Sequence, residues 1–390
     1  MAVNLTNSSN ALKTYYLDAI SEQLNNANPL LAMIKKTSDN VYGKDVKMLA
    51  IHGVNGGIGA GSEEGALPNA AGNKYAQFTG TLKNLYGTIE ISDKAIRASE
   101  SNAGAFVNLL NAEMDGLIKA SNANFARMLF GDGSGVLATI SSIKNNTLTV
   151  DSVKNLEVGM LVQIFTNYLD VGPENEVREI IGIDRDKKEV TLGGDAINTA
   201  NVPSGFKLCT QGSVNQEILG LEYIFGSSAT IYGLNKSNNL WVKPYHKTDV
   251  GEITEMQLQT ALDEIEERGG ASANVIVCSM GVRRALYNLF SQNKRVLDTV
   301  ELAGGFKALS YNGIPIVADK FCPEGTLYIL NTDDFVLNQL CDWQWLSGED
   351  GNVLKQVAGK PVYTATLVKY AELMCARPYA QGKLSGITEA

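Results

Sequence analysis

The chain holds two histidines, His52 and His246, and neither has a second histidine at ligand spacing. A zinc site or a serine–histidine relay is therefore poorly supplied. Ser134 lies in Gly133-Ser134-Gly135, but Asp132 stands where a nucleophile elbow needs glycine. The acidic pairs Glu63-Glu64, Asp333-Asp334 and Glu349-Asp350 have the chemistry to hold a cation or to act as acid and base. Solvated loop charges are the simpler expectation for all three. Asp184-Arg185-Asp186 begins like a calcium loop but lacks the downstream glycine and bidentate glutamate, so a hairpin turn is expected. Cys209, Cys278, Cys322, Cys341 and Cys375 are far apart and form no Cys-x-x-Cys pair. They read as reduced thiols, mostly buried, in a protein made in the cytoplasm.

The remaining chemical suggestion is the glycine run from Gly53 to Gly65, carried on through Pro68 to Gly72. A phosphate cradle fails there on pattern. No Gly-x-x-x-x-Gly-Lys-Ser/Thr is present, and Glu64 stands three residues past Gly61 where glycine is needed. The run also leads into a strand, whereas a phosphate cradle needs a helix N-terminus. No catalytic, metal-binding or cofactor-binding residue is assigned, and no cofactor. Lys44 to His52 before the run and Tyr75 to Ile91 after it read as strands, which makes the run a hairpin tip. The return strand breaks its alternation at Gly80 and Gly87, which suggests bulges or bends. The tip is too long for a tight turn and too poor in apolar residues to pack on its own domain. The arm should project and find its partner in another copy of the chain. The residues expected in that contact are Gly53, Gly56, Gly57, Gly59, Gly61, Glu63, Glu64, Gly65, Pro68, Gly72 and Lys74.

The elements that carry this arm follow from periodicity. A chain of 390 residues with 44% hydrophobic and 19% charged content is an ordinary folded protein with room for two or three domains. Its net charge of −9 is not that of a general nucleic-acid binder. No apolar run is long enough to span a membrane, and the first residues do not resemble a secretory signal. Leu12 to Leu24 and Pro29 to Lys36 have helical spacing, and Lys94 to Ser99 follows a Ser92-Asp93 cap. Ala103 to Phe130 is the strongest helix, with Phe106, Leu110, Met114, Leu117, Ser121, Phe125 and Met128 on one stripe. Such a rod is roughly 40 Å long. Between Val136 and Cys209 the period changes to two, in five short strands at 138–143, 147–150, 160–165, 176–184 and 189–192. A small all-β barrel or sandwich, inserted into a parent fold, is expected there. Helices at 219–225, 254–269 and 280–290 alternate with strands at 274–278, 306–311, 314–318 and 325–330. That order points to an α/β subdomain, with Asn312-Gly313 as a tight hairpin turn. A last strand, Tyr363 to Cys375, precedes a polar tail, and Trp343 and Trp345 face one side of a strand and pack.

Three stretches carry a family resemblance. They are 232–241 (YGLNKSNNLW), 274–286 (NVIVCSMGVRRAL) and 312–330 (NGIPIVADKFCPEGTLYIL). In their order and spacing the chain resembles the major capsid proteins of tailed bacteriophages, the Hong Kong 97-like fold. The resemblance implies an α+β chain of seven parts: an N-terminal arm (1–43), an E-loop (44–91), a P-domain part with a spine helix (92–135, helix 103–130), an inserted β domain (136–209), a P-domain crossover (210–245), an A-domain (246–335), and return strands with a C-terminal tail (336–390). It implies a shell subunit that forms homo-hexamers and pentamers of an icosahedral head around double-stranded DNA, and no enzyme. The implied partners are further copies, a portal, non-specifically packaged DNA and a separate scaffolding protein without a long cleaved pro-segment, and no membrane. Some relatives crosslink an E-loop lysine to a neighbour's asparagine. Lys44, Lys47, Lys74 and Lys83 are available, but no acceptor or catalytic glutamate can be matched. The physical logic agrees, because extended arms bury area across neighbours without a deep pocket, and closed rings use heterologous contacts. Two other readings are an encapsulin-like compartment shell and an α+β enzyme using the acidic pairs.

Overall fold

The computed structural model describes residues 28–39, 41–94, 103–165, 176–197, 205–270, 272–292, 299–302, 306–348 and 351–390. The expected helix at 12–24, most of that at 94–99 and the pair Glu349-Asp350 lie outside them.

The body is a five-stranded sheet built on two long antiparallel strands, Phe335–Trp345 and Val362–Cys375. Lys83–Ser92 pairs with the second of these along its whole length. The helix Ala103–Met128 buries Met114, Ile118, Phe125 and Met128 in the body core, as its three-and-four spacing requires. It lies so close to the sheet that a Cβ at Gly87 would stand 3.0 Å from Leu117 and Ser121. Gly80 abuts Met374 and Glu372 in the same way. Both pairings run through these glycines without a register shift. The two glycines thus mark close approach, not the bulges expected from the sequence. The strand breaks instead at Leu82, whose N–H donates to the Lys44 carbonyl (2.8 Å). Lys74–Thr81 belongs to the hairpin and Lys83–Ser92 to the body.

The expected helix to Lys36 ends at Met33. Ile34 is extended (φ −85°, ψ 129°), and Lys35–Thr37 pairs in parallel with Val336 to Asn338. Sheet pairing overrides helical spacing there. Trp343 and Trp345 are buried, Trp343 edge-on to Phe125 (6.4 Å, 81°).

Residues 136–210 form a closed barrel in the order Glu189–Leu192, Thr147–Val150, Val136–Lys144, Lys207–Thr210, Leu161–Phe165, Arg178–Asp184. Leu148, Val162, Ile180, Val190 and Leu208 fill its separate core. Val136 pairs with Cys209, so the chain enters and leaves the barrel at one place. The closing strand Lys207–Thr210 is additional to the five expected. Asp184 accepts the N–H groups of Asp186 and Lys187, a hairpin turn as anticipated.

A seven-stranded sheet runs in the order Tyr245–Lys247, Gly382–Leu384, Leu327–Leu330, Val275–Cys278, Ile314–Ala318, Phe306–Tyr311, Thr299–Leu302. Val275 and Val277 face the body core, and Ile276 and Cys278 face a second core with the helices Glu255–Gly269 and Met280–Gln292. A strand walled in on both sides needs an uninterrupted apolar run. Thr254 and Gln257 form a capping box on the first helix, and Gly270 closes it in the left-handed conformation (φ 62°). Asn312 and Gly313 have φ of 50° and 78°, the turn their sequence calls for. The expected polar tail is a correction. Gly382–Leu384 is a buried inner strand, and a Cβ at Gly382 would drive into Ile265.

Candidate assembly interface

The hairpin Asp45–His52 and Lys74–Thr81 has two unlike faces. Val46, Ala50 and Phe78 are buried on the inner one. There Phe78 meets Tyr232 (5.5 Å) and Trp241 (6.0 Å), and His52 lies flat on Trp241 (4.3 Å). The Thr79 N–H donates to the Tyr232 carbonyl (3.0 Å), so the inner face is fixed to the segment 232–241. The outer face shows Leu49 (65% exposed), Ile51 (59%) and Tyr75 (56%) to solvent. Ile51 and Tyr75 are register partners, with Leu49 and Gln77, then Lys47 and Thr79, following along the ribbon. Beyond the strands, Val54, Ile58 and Leu67 are more than 80% exposed. Isolated exposed apolar residues are ordinary, but a continuous set along one projecting arm marks a contact surface.

The loop glycines have a local role. A Cβ at Gly57 would stand 3.1 Å from the Ala71 nitrogen, and one at Gly59 3.1 Å from Pro68. The two limbs therefore run side by side as a narrow ribbon, a close approach that glycine permits. Gly53, at φ 69°, starts the departure from the strand. Gly56, Gly61, Glu63, Glu64, Gly65, Gly72 and Lys74 are all exposed along this ribbon. Lys44 and Lys47 are exposed at its base, whereas the Lys83 ammonium donates to the Asn215 carbonyl (2.9 Å) on the body.

The other chemical candidates resolve into structural roles. Asp132 accepts from the Ser134 N–H (2.9 Å) and its hydroxyl, a turn in place of a nucleophile. His246 bonds Ser385 (3.0 Å), and burial lowers its pKa. Asp334 corrects the solvated reading of its pair: it is buried, accepts from Arg377 Nε (2.7 Å) and Gln381 Nε2 (2.9 Å), and burial raises its pKa. Asp333 stays exposed. All five cysteines are free, and burial pushes Cys209 and Cys278 up to about 12. Among the described residues no three His, Cys, Asp or Glu side chains gather as a metal site, and no helix is long and apolar enough to cross a membrane.

Lys369 and Glu372 are buried ionic groups that the sequence pattern does not mark. Lys369 is 1% exposed, pairs with Asp342 (2.5 Å) and lies 5.0 Å above the Phe125 ring. Its partner Asp342 also meets Lys36 (3.2 Å), and despite burial these lysines hold its carboxyl at about 2. Glu372 is fully buried, accepts from the N–H groups of Leu219 (2.7 Å) and Leu373 (3.0 Å), and is raised to about 8 by burial. Each is an isolated charge within an apolar strand, where sequence pattern offers no signal.

The profile of the SU10 major capsid protein family matches residues 4–346. The chain belongs to that family. It is a major capsid protein, a subunit that assembles with its own kind into the shell of a phage particle. The fold is α+β and Hong Kong 97-like. The cyanophage A-1(L) capsid is similar at TM-score 0.59 and 12% identity, over 93% of this chain and 93% of that chain. A structure from Mycobacterium phage Bobi is similar at TM-score 0.48 and 9% identity, over 93% and 91% of the two chains. The SrpI encapsulin complex of Synechococcus elongatus PCC 7942 is similar at TM-score 0.44 and 10% identity, over 92% and 86%. No curated protein matches the chain. The exposed hairpin is thus an arm on a shell-forming capsid protein.

Proposed function

We propose that the hairpin and its glycine ribbon are the clasp by which one capsid subunit holds the next. In this reading the E-loop is the part of 44–91 up to Thr81, the helix Ala103–Met128 is the spine of the P-domain, 136–209 is an inserted domain, and 246–335 with the returning strand Gly382–Leu384 is the A-domain. The subunits form hexamers and pentamers of an icosahedral head that encloses double-stranded DNA, with a portal and a separate scaffolding protein as further partners. The carrying observation is the continuous apolar exposure of Leu49, Ile51, Val54, Ile58, Leu67 and Tyr75. Burying such a side chain is worth roughly 1.5–3 kcal/mol. Six of them offer on the order of 10 kcal/mol per arm before the cost of association is subtracted.

The test is deletion of Gly56–Gly72. The shortened chain should remain soluble and folded, with the melting behaviour of the body intact, and should no longer form stable shells. Normal particles from the deletion would remove the clasp. Of the lysines considered for crosslinking, Lys44, Lys47 and Lys74 lie on the arm and Lys83 is held on the body. A ladder on a denaturing gel of particles would reveal such a bond, and monomer alone would dismiss it.

A further inference from the structure

The barrel carries a second exposed apolar strip. Its wall of Leu161–Phe165 and Arg178–Asp184 pairs Leu161 with Glu179. The Gly159 N–H donates to the Ile180 carbonyl, which extends the same alignment. Val162, Ile164 and Ile180 point into the barrel core. By alternation Leu161, Val177 and Ile181 point outward, and Val158 stands in the adjoining turn. Their exposures run from 40% for Leu161 to 63% for Val158. Carboxylates surround the strip. Glu179 is exposed beside Leu161, Glu176 pairs with Arg178 (3.1 Å), and Glu157 stands 3.6 Å from Lys320. A closed barrel has no strand edge to offer, so a partner must be recognised through these side chains.

We propose that this wall receives the outer face of the hairpin from a second copy of the chain. Leu49, Ile51 and Tyr75 lie against Val158, Leu161, Val177 and Ile181, with Lys47 set against Glu179. The proposal rests on the hairpin being the clasp and names the surface that it grips.

Charge selects this occupant. The apolar strip of the hairpin has Lys47 at its base end, while that of the wall has the exposed Glu179 beside Leu161, with Glu176 and Glu157 already paired to Arg178 and Lys320. Asp45, the acidic group on the hairpin's outer face, sits at the base and accepts from the Thr81 hydroxyl (3.1 Å). A second wall offers Glu179 no cation on its apolar strip, whereas the hairpin offers it Lys47. Hairpin on wall brings Lys47 to Glu179. Shape agrees, since each surface is a two-stranded ribbon with outward apolar side chains on both strands.

The test uses the full-length chain and charge reversal. Lys47→Glu and Glu179→Lys should each raise the subunit concentration needed for assembly about tenfold, and the double reversal should restore it to near the starting value. Ile181→Ser should impair assembly as Ile51→Ser does. In a separate arm, Ile51→Cys with Ile181→Cys should give disulfide-linked oligomers on a non-reducing denaturing gel of shells, which neither single variant gives. All these positions are exposed, and circular dichroism melting checks that each variant folds. If Lys47→Glu blocks assembly while Glu179→Lys and Ile181→Ser assemble normally and no crosslink forms, the wall is not the partner and the clasp stands. If hairpin variants also assemble normally, the clasp itself falls. Variants of the wall that assemble normally but lose a different bound protein also overturn the proposal.

Discussion

His52 stacks on Trp241 with ring centroids 4.3 Å apart and planes 6° from parallel. The stack joins the tip end of a projecting strand to the segment 232–241 of the body. Trp241 also touches Phe78 (6.0 Å) and Tyr379 (6.3 Å), so one ring ties three parts of the chain. The arm can thus present its outer face in a fixed orientation while its loop remains exposed.

Trp241→Ala should therefore free the hairpin more than it unfolds the body. Losing a packed tryptophan costs about 3 kcal/mol, of which about 1 kcal/mol is the ring–ring contribution that His52→Ala should remove alone. Hydrogen exchange should speed at least tenfold in Asp45–His52 and Lys74–Thr81, with barrel amides unchanged. Unchanged exchange in those two strands would show that the stack is not the anchor.

Glu372 makes stability depend on pH. Burial is the main cause that lifts its carboxyl to about 8, opposed by the N–H groups of Leu219 and Leu373 and by the charge of Lys83. Because the folded value lies above the unfolded one, the stabilisation is full below about pH 4.5 and is lost as pH rises through 8. The span corresponds to an upper limit on the order of 4 kcal/mol. Glu372 and Asn338 are opposite each other across two strands, and Glu372 Oε2 and Asn338 Oδ1 are buried acceptors with no donor. A proton on the carboxyl supplies one. Glu372→Gln should flatten the decline in denaturation midpoint between pH 6 and 9 relative to the parent chain. A parallel decline in both would remove Glu372 as its source.

Arg127 and Glu217 form a buried ion pair at the end of the long helix, 5% and 2% exposed. Arg127 also donates to Asn124 Oδ1 through Nε (3.0 Å) and Nη2 (2.8 Å). Removing one partner strands the other charge in a low dielectric, at about 3–5 kcal/mol. Arg127→Met and Glu217→Gln should each lower the urea midpoint strongly, and the double variant should lose less than their sum. Strict additivity would mean that the two charges are not coupled.

The sequence showed long periodic elements and left local exceptions hidden. The helix Ala103–Met128 announces itself because one stripe must face the core, and Val275–Cys278 because both its faces are buried. Gly382–Leu384 carries no such pattern. Its central residue, Lys383, sends its ammonium to Glu222 (2.5 Å), so an inner strand reads as polar. Gly80 and Gly87 look like bulges until Met374 and Leu117 are seen above them. Asp334 finds Arg377 from a distant part of the chain, a pairing no local spacing encodes. The loop of the candidate site was legible from its punctuation. Its most exposed strand face was not, because Asp45–His52 has apolar residues on both sides and only the fold decides which side stays open.

The barrel should be separable from the rest of the capsid protein. Its core residues form a cluster apart from the other two, and its first and last strands pair at Val136 and Cys209. Just outside, the Asn215 N–H donates to the Ser134 carbonyl (3.0 Å), and a Cβ at Gly135 (φ 80°) would drive into the Ser213 carbonyl. The ends are thus already in contact, so a short glycine–serine link can replace residues 136–210 without a long loop to close. The links that the rest of the chain loses include a bond from Lys154 Nζ to the Cys322 carbonyl, those of the Gln211 and Gly212 N–H groups to the Leu161 carbonyl (3.0 Å) and Gln163 Oε1 (2.7 Å), and the exposed pair Glu157–Lys320, the last worth at most about 1 kcal/mol. The excised chain should stay folded, with a melting temperature lowered by a few degrees. Lacking the wall, it should nonetheless fail to build shells. A body that unfolds without the barrel would instead make the barrel a required part of the fold.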